Sequence, residues 1–147
     1  MRKKMNDKGF TLVELIVVLV ILAILAAILV PALLGYIDRA KTQQHVLDGK
    51  SILTAAQAEA SAMYGQNKEP GDMTAATVWK TADVPGTACV VGFKEAYSAT
   101  ETDTTKIHNM YTICYVSYTE NGKTIYFNGT AWVDDDPSFS GPTKTIK

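Results

Sequence analysis

The sequence predicts an α+β protein in which a long N-terminal helix packs on a small antiparallel sheet of three to four strands. An almost unbroken apolar run at 10–34 predicts the first half of the helix, and an amphipathic continuation to about residue 64 predicts the second half. Short β-rich segments separated by turn signals predict the sheet. We therefore expect four regions: a leader at 1–9, a hydrophobic helix at 10–35, an amphipathic helix at 36–64, and a sheet domain at 65–147 that includes a connecting loop and a loose C-terminal tail.

The apolar run is long enough to cross a membrane. At a rise of about 1.5 Å per residue, 20 to 25 helical residues span a hydrocarbon core about 30 Å thick. The basic residues of the leader, within 2–8, predict a cytoplasmic N-terminus, with everything after Leu34 outside. A secretory signal peptide is cut after its apolar core, whereas the plausible cut here precedes the core, so we expect the anchor to be retained.

Glu14 interrupts the apolar run near its start. A carboxylate at the bilayer centre costs roughly 2.5–3.5 kcal/mol on insertion scales, so this side chain needs a partner. Cleavage between Gly9 and Phe10 would create an α-amine one helical turn before Glu14. We predict that an ammonium and this carboxylate share the apolar layer.

The stretch KGFTLVE at 8–14 resembles the prepilin signal of the type IV pilin family, and the likeness extends to about residue 62. The resemblance implies that a membrane peptidase cuts after Gly9 and methylates the amine of Phe10. It also implies that the N-terminal helices of many subunits form a filament core, in which Glu14 is compensated by the amine of a neighbour's Phe10. The alternative is an ordinary single-pass anchor with an incidental glutamate.

Pro31 lies inside the helical pattern and removes one backbone hydrogen bond, so we expect a bend or a loosened turn near 27–34. In the family, a proline at this place marks where the helix loosens on assembly; a simple membrane-helix kink is the alternative. After Tyr36 an apolar stripe that includes 46–63 continues the helix, and Gly65 is the predicted stop. A short helix at 74–80 is expected to place Trp79 on the domain.

Four segments predict strands, at 87–93, 111–119, 124–127 and 131–133. Asn121-Gly122 is a strong hairpin signal, and Asn128-Gly129 offers a second turn. The apolar side of the sheet is expected to lie on the helical stripe, with contributions from three aromatic residues, Tyr118, Tyr126 and Trp132. The tail at 134–147 has two prolines and a glycine and is expected to be a loose surface segment.

Cys89 and Cys114 fall on two predicted strands of a domain placed outside the membrane, where disulfides persist. We therefore predict that they pair, with two separate buried thiols as the alternative. Cys114 lies far from the C-terminus, so the resemblance implies no disulfide-bounded loop of the kind that ends near the C-terminus in well-known pilins.

No catalytic residues, cofactor or metal site are predicted. His45 and His108 are far apart and without ligands at a suitable spacing, and phosphate loops, nucleophile elbows and zinc patterns are absent from the sequence. The acidic run at 134–136 leaves calcium open as an alternative to a solvated turn. Without the leader the net charge changes from −1 to −4, which disfavours a nucleic-acid surface. The glycosylation sequon at 128–130 is a short match of the kind that arises by chance.

These observations predict a structural, non-enzymatic subunit of a type IV pilus, a surface fibre for adhesion or motility. The expected partners are further copies of the chain, a prepilin peptidase and methyltransferase, an inner-membrane assembly platform, and membrane lipid before assembly. We expect a single-pass inner-membrane protein before assembly and an extracellular fibre afterwards. Two alternatives remain: a pseudopilin of a type II secretion or competence DNA-uptake system, and a membrane-anchored binding domain that acts as a monomer.

Overall fold

The computed structural model describes residues 9–86 and 88–146, so the leader before Gly9 lies outside the described residues. The chain divides into two compact units, residues 1–41 and residues 42–147. The helices are α1 (Leu12–Gly65), α2 (Ala75–Ala82) and α3 (Thr104–Met110), with a 3-10 turn at Pro70–Asp72. The strands are β1 (Ala88–Phe93), β2 (Ile113–Glu120), β3 (Lys123–Phe127), β4 (Trp132–Val133) and β5 (Thr143–Ile146).

Helix α1 has the length that the sequence predicts. Leucines and alanines, which are strong helix formers, recur along it, and Pro31 and Gly35 both lie inside it. The helix ends at Gly65, the predicted stop, where the backbone N–H of Lys68 returns to the carbonyl of Met63. The expected loosening near Pro31 stays a prediction.

The strands form one antiparallel sheet in the order β4-β3-β2-β1-β5. The sheet has five strands, whereas the sequence predicted three to four. Asn121 and Gly122 join β2 to β3 with φ values of 50° and 78°. Positive φ at both central residues is the geometry of the tight hairpin that Asn-Gly favours. The predicted hairpin is therefore confirmed, and it pairs Glu120 with Lys123.

The core of the second unit lies between the C-terminal part of α1 and one face of the sheet. From α1 it includes Ile52, Ala55, Ala56, Ala60 and Met63, and from the sheet Cys89, Val91, Val116, Tyr118, Ile125 and Ile146. Gly49 allows a close approach of the two, because a Cβ there would lie 2.6 Å from the Trp132 ring. The Gln57 amide donates to the carbonyl of Tyr111 and accepts from the N–H of Ile113, each at 2.9 Å. Helix and sheet are thus joined by both apolar packing and hydrogen bonds.

Tyr126 does not join this core, although the sequence predicted that it packs on the helix with Tyr118 and Trp132. The register pairs Tyr118 with Ile125, and Tyr126 with Ser117. Because successive side chains of a strand point to opposite faces, Tyr126 lies on the outer face, where its ring centroid is 6.4 Å from that of Tyr115. Tyr118 is fully buried on the helix side.

The C-terminal tail ends in strand β5, so the expectation that the whole tail is a loose segment is wrong. After β4 the chain runs from one edge of the sheet to the other and adds β5 beside β1. Along this path Phe139 stacks on Tyr115, with centroids 4.8 Å apart and planes 11° from parallel. Gly92 leaves the space for that ring, since a Cβ there would be 2.4 Å from the Phe139 Cε1. We call residues 134–142 the outer strap.

Two short helices accompany the sheet: α2 precedes β1 in the sequence, and α3 lies between β1 and β2. The predicted helix at 74–80 is confirmed as α2, and Trp79 is half-buried with its ring centroid 6.4 Å from that of Tyr118. Helix α3, in the connection between β1 and β2, was not predicted from the sequence. It begins because the Asp103 carboxylate accepts from the N–H groups of Thr105 and Lys106.

Candidate processing and assembly site

The predicted cleavage point lies immediately before α1. Gly9 and Phe10 are exposed and non-helical, and 81% of the Phe10 surface is accessible. A Cβ added to Gly9 would meet nothing within 4 Å. Packing within the isolated chain therefore does not require glycine at this position.

Thr11 and Glu14 form the N-terminal cap of α1. The Glu14 Oε2 accepts from the Thr11 N–H at 2.8 Å and from the Thr11 hydroxyl at 2.6 Å. In return, the Glu14 N–H donates to the Thr11 Oγ1 at 3.3 Å. Reciprocal bonds between a capping threonine and a glutamate three residues later satisfy backbone donors that a helix start otherwise leaves open. Glu14 is thus held at a defined position in the first turn.

Sequence reasoning assigned no role to Thr11. The signal was available, because a Thr-x-x-Glu pattern directly before an apolar helical run is a recognised capping box. Glu14 is thus both the one charge in an apolar segment and part of the helix cap. The two properties are compatible, since a carboxylate has about four acceptor sites and this one uses two with Thr11.

The apolar segment that follows is uncovered along its whole length. The large aliphatic side chains from Leu12 to Leu34 have between 49% and 74% of their surface accessible. By length and composition α1 can cross a membrane, with a mean hydropathy of 3.3 in its most apolar window and none of that window buried. A monomer in water would expose an apolar surface far larger than soluble proteins normally show, so lipid or other protein must cover it.

Comparison with known families gives a match at this segment. Residues 4–30 match the model of the prokaryotic N-terminal methylation motif. The chain carries the leader signature of type IV pilins and pseudopilins. Neither the curated proteins nor the solved structures contain a match to the chain.

The pilin signature contains Gly9, Phe10 and Glu14 and ends just before Pro31. The signature fits a chain that is anchored in a membrane before assembly and is processed by a prepilin peptidase. The family with this motif is structural rather than enzymatic. The sheet unit lies outside the match, so its properties rest on its own residues.

The structure contradicts the predicted disulfide, because Cys89 and Cys114 are free thiols. Cys89 is paired in register with Tyr118, which lies four residues beyond Cys114 on β2. At about 3.3 Å per strand residue this separates the two cysteines by about 13 Å, roughly twice the Cα distance that a disulfide tolerates. Burial raises the pKa of Cys89 to about 12, and burial also raises the pKa of Cys114.

The acidic run at 134–136 and the two histidines do not form a second site. The acids at 134–136 lie on the outer strap, where Asp134 is 3.9 Å from the Lys123 Nζ and Asp136 accepts from the Ser138 N–H. Within residues 9–86 and 88–146, no group of three or more His, Cys, Asp or Glu side chains is placed to hold a metal ion. His45, however, does lie near one carboxylate, with its Nε2 3.7 Å from the Glu120 Oε2, whereas the sequence suggested that it has none nearby.

Proposed function

We propose that this chain is a structural subunit of a type IV pilus, cut after Gly9 and polymerised through residues 10–35 into a surface fibre for adhesion or motility. The observation that carries the proposal is the methylation motif on a helix whose apolar surface is uncovered and whose first turn holds one carboxylate. An anchor alone requires the apolar surface, but it requires neither the motif nor Glu14.

The chemistry at the start of α1 supports this role. Hydrolysis of the exposed Gly9–Phe10 amide leaves a carboxylate on the leader and a new amine on Phe10, which methylation keeps cationic. The Glu14 carboxylate retains acceptor capacity beside its two bonds with Thr11. In a low-dielectric layer of packed helices, that carboxylate stabilises an ammonium from a neighbouring subunit and sets the axial register of the two helices.

Before assembly, the chain is a single-pass inner-membrane protein with a cytoplasmic N-terminus, and lipid covers residues 10–35. A prepilin peptidase and methyltransferase processes it, and an inner-membrane platform adds it to a growing homopolymer. Packing among many copies then replaces lipid as the cover of the apolar surface, and the fibre becomes extracellular.

Glu14→Ala tests the proposal, with Glu59→Ala as a control that removes the same charge elsewhere on α1. We expect the Glu14 variant to insert into the membrane and to be cleaved normally, because its anchor becomes more apolar. Its sheared fibre yield, however, should fall by more than about tenfold. The control should form fibres at the wild-type level. Normal fibre yield from Glu14→Ala would contradict the assembly role.

A pseudopilin of a type II secretion or competence DNA-uptake system is the second candidate, because it carries the same signature. Such a subunit would be cleaved and would need Glu14, but its processed form would stay with the envelope. A calcium-dependent fold would also favour a secretion pseudopilin, and a drop in melting temperature on chelation would reveal it. A monomeric anchored domain would show no polymer in any fraction.

A further inference from the structure

The dipeptide Asn-Gly occurs at Asn121-Gly122 and at Asn128-Gly129, and both copies lie in exposed turns of the sheet unit. An asparagine before a glycine can react with its own backbone. The nitrogen of the next residue attacks the side-chain amide carbon, and glycine has no Cβ to obstruct that attack. Because the dipeptide is the same at both places, a difference in reactivity within the folded chain reports on the surroundings of each asparagine.

The side-chain oxygen of Asn128 lies between two backbone donors. Its Oδ1 accepts from the N–H of Thr130 at 3.1 Å and from the N–H of Ala131 at 2.9 Å. The backbone N–H of Asn128 donates to the Ala131 carbonyl at 3.1 Å, which holds the loop in this shape. Attack on Cγ moves negative charge onto Oδ1, and fixed N–H donors at such distances stabilise an oxyanion. The turn thus offers its own asparagine the stabilisation that an oxyanion hole offers a substrate.

The two nitrogens that would react are not held by the protein. In the described part of the chain, neither the Asn128 Nδ2, which would leave, nor the Gly129 N–H, which would attack, makes a hydrogen bond. Gly129 has a φ of 91°, and a Cβ there would lie 3.2 Å from the carbonyl oxygen of Cys114. The shape of the turn therefore favours the unobstructed residue at the attacking position.

Asn121 provides the contrast. It lies in the hairpin between β2 and β3, where its Nδ2 donates to the Oε1 of Glu120 at 3.3 Å. Among the residues that the structure describes, no donor bonds to the Oδ1 of Asn121. The departing nitrogen is held there, and the developing oxyanion has no support from the protein. The two Asn-Gly copies are therefore a matched comparison within one molecule.

We propose that Asn128 is a self-modification site, at which the chain converts its own asparagine to aspartate or isoaspartate. The Gly129 nitrogen loses its proton to hydroxide and bonds to the Asn128 Cγ, and the Cγ–Nδ2 bond breaks as the nitrogen leaves as ammonia. Water then opens the cyclic imide. The net reaction consumes one water and releases one ammonia. In the isoaspartate product, the backbone runs through the former side chain of Asn128.

The isoaspartate product alters one edge of the sheet. It lengthens the backbone by one carbon in the turn that returns β3 to β4, where Phe127 pairs in register with Trp132. The Trp132 ring also fills the space that Gly49 of α1 leaves open. Modification at Asn128 therefore loosens β4 and, through Trp132, the packing of the helix on the sheet. This chemistry depends on neither the N-terminal motif nor assembly.

The test is incubation of the full wild-type chain in detergent micelles at mildly alkaline pH, followed by proteolysis and mass spectrometry of the peptides that contain each asparagine. Replacement of the amide by a carboxyl group raises the peptide mass. In the folded chain, Asn128 should react about tenfold faster than Asn121, less than the effect of a donor in a buried enzyme site because water reaches this turn. In urea, which removes both turns, the two rates should converge. A ratio no larger in the folded chain than in urea would overturn the proposal.

The effect on the sheet has its own control. Asn128→Asp adds the same negative charge without lengthening the backbone, so it separates the two consequences of the reaction. Hydrogen exchange at β4 should be faster in the isoaspartate form, purified after incubation, than in Asn128→Asp. Equal exchange in the two forms would overturn the loosening of β4.

The assignment of the reaction to this side chain is checked with Asn128→Gln. The longer side chain would have to close a larger ring, so the mass gain in this peptide should disappear. Persistence of the gain would overturn the site.

Discussion

Thr11 and Glu14 bond to each other in both directions at the start of α1, with the shortest contact, 2.6 Å, between the threonine hydroxyl and the carboxylate. The residue that gives the apolar segment its single charge is therefore also part of the helix cap. This arrangement fixes the carboxylate in the first turn before any second subunit arrives. The assembly role that we propose for Glu14 would accordingly depend on Thr11 as a positioning residue.

Thr11→Ala should weaken fibre assembly without preventing membrane insertion. It removes the hydroxyl from both side-chain bonds with Glu14, and loss of an N-cap hydroxyl costs about 1 kcal/mol, or about fivefold in the population of the capped turn. Thr11→Ser retains the hydroxyl and should assemble at close to the wild-type level. Sheared fibre yield, normalised to cleaved protein in the membrane, is the measurement. Equal yields from the alanine and serine variants would contradict the positioning role.

Gly49→Ala should destabilise the second unit by about 1–3 kcal/mol, although alanine is the better helix former. The new methyl group would lie 2.6 Å from the Trp132 ring and 3.0 Å from the Ile125 Cδ1, so either the Trp132 ring or the helix must move out of its packed position. Gly65→Ala is the control, because its Cβ meets nothing within 4 Å. Urea unfolding read by tryptophan fluorescence compares the two. A gain in stability for Gly49→Ala would show that the helix does not approach the sheet this closely.

Phe139→Ala tests whether the outer strap holds the sheet. Half-burial of this ring against Tyr115 and Gly92 predicts a loss of about 1–2 kcal/mol on truncation. Ser140→Ala, at an exposed neighbour on the same strap, should change stability by less than about 0.5 kcal/mol. Hydrogen exchange at β5 should accelerate in the phenylalanine variant alone. If neither hydrogen exchange at β5 nor the stability changed, Phe139 would not hold the strap on the sheet, and the tail would be the loose segment that the sequence predicts.

The two cysteines should behave as free thiols of low reactivity. Because burial raises the pKa of Cys89 to about 12, its thiolate fraction is small near neutral pH and grows only as the solution becomes strongly basic. Iodoacetamide at about pH 8 should leave Cys89 unmodified in the folded chain and should label both cysteines after unfolding without reductant. Intact mass measures the outcome. An unfolded chain that takes up label only after reduction would show that a disulfide had formed.

Local signals predicted the longest element and the central hairpin well. The apolar periodicity and Gly65 fixed the end of α1, and Asn121-Gly122 fixed the turn between β2 and β3. The register that this turn implies also places Tyr118 and Tyr126 on opposite faces. Since side chains alternate along a strand, this register excludes a single core that holds both tyrosines.

The elements that sequence reasoning missed depend on contacts between distant residues. The tail becomes β5 because β1 offers an open edge and because Phe139 fits over Gly92, neither of which shows in the local composition. The cysteine error has the same origin, since two cysteines on adjacent strands can pair only if the register brings them together. The approach of His45 to Glu120 likewise requires the packing of α1 on β2.

The central claim is that the chain is cut after Gly9 and polymerised through α1. Intact mass and N-terminal sequencing of the sheared surface fraction, compared with the membrane fraction, test it most directly. We predict a chain that begins at methylated Phe10 in the sheared fraction. Cleaved chain confined to the membrane would contradict the pilus assignment and favour a pseudopilin, and an uncut chain beginning at Met1 would contradict the processing itself.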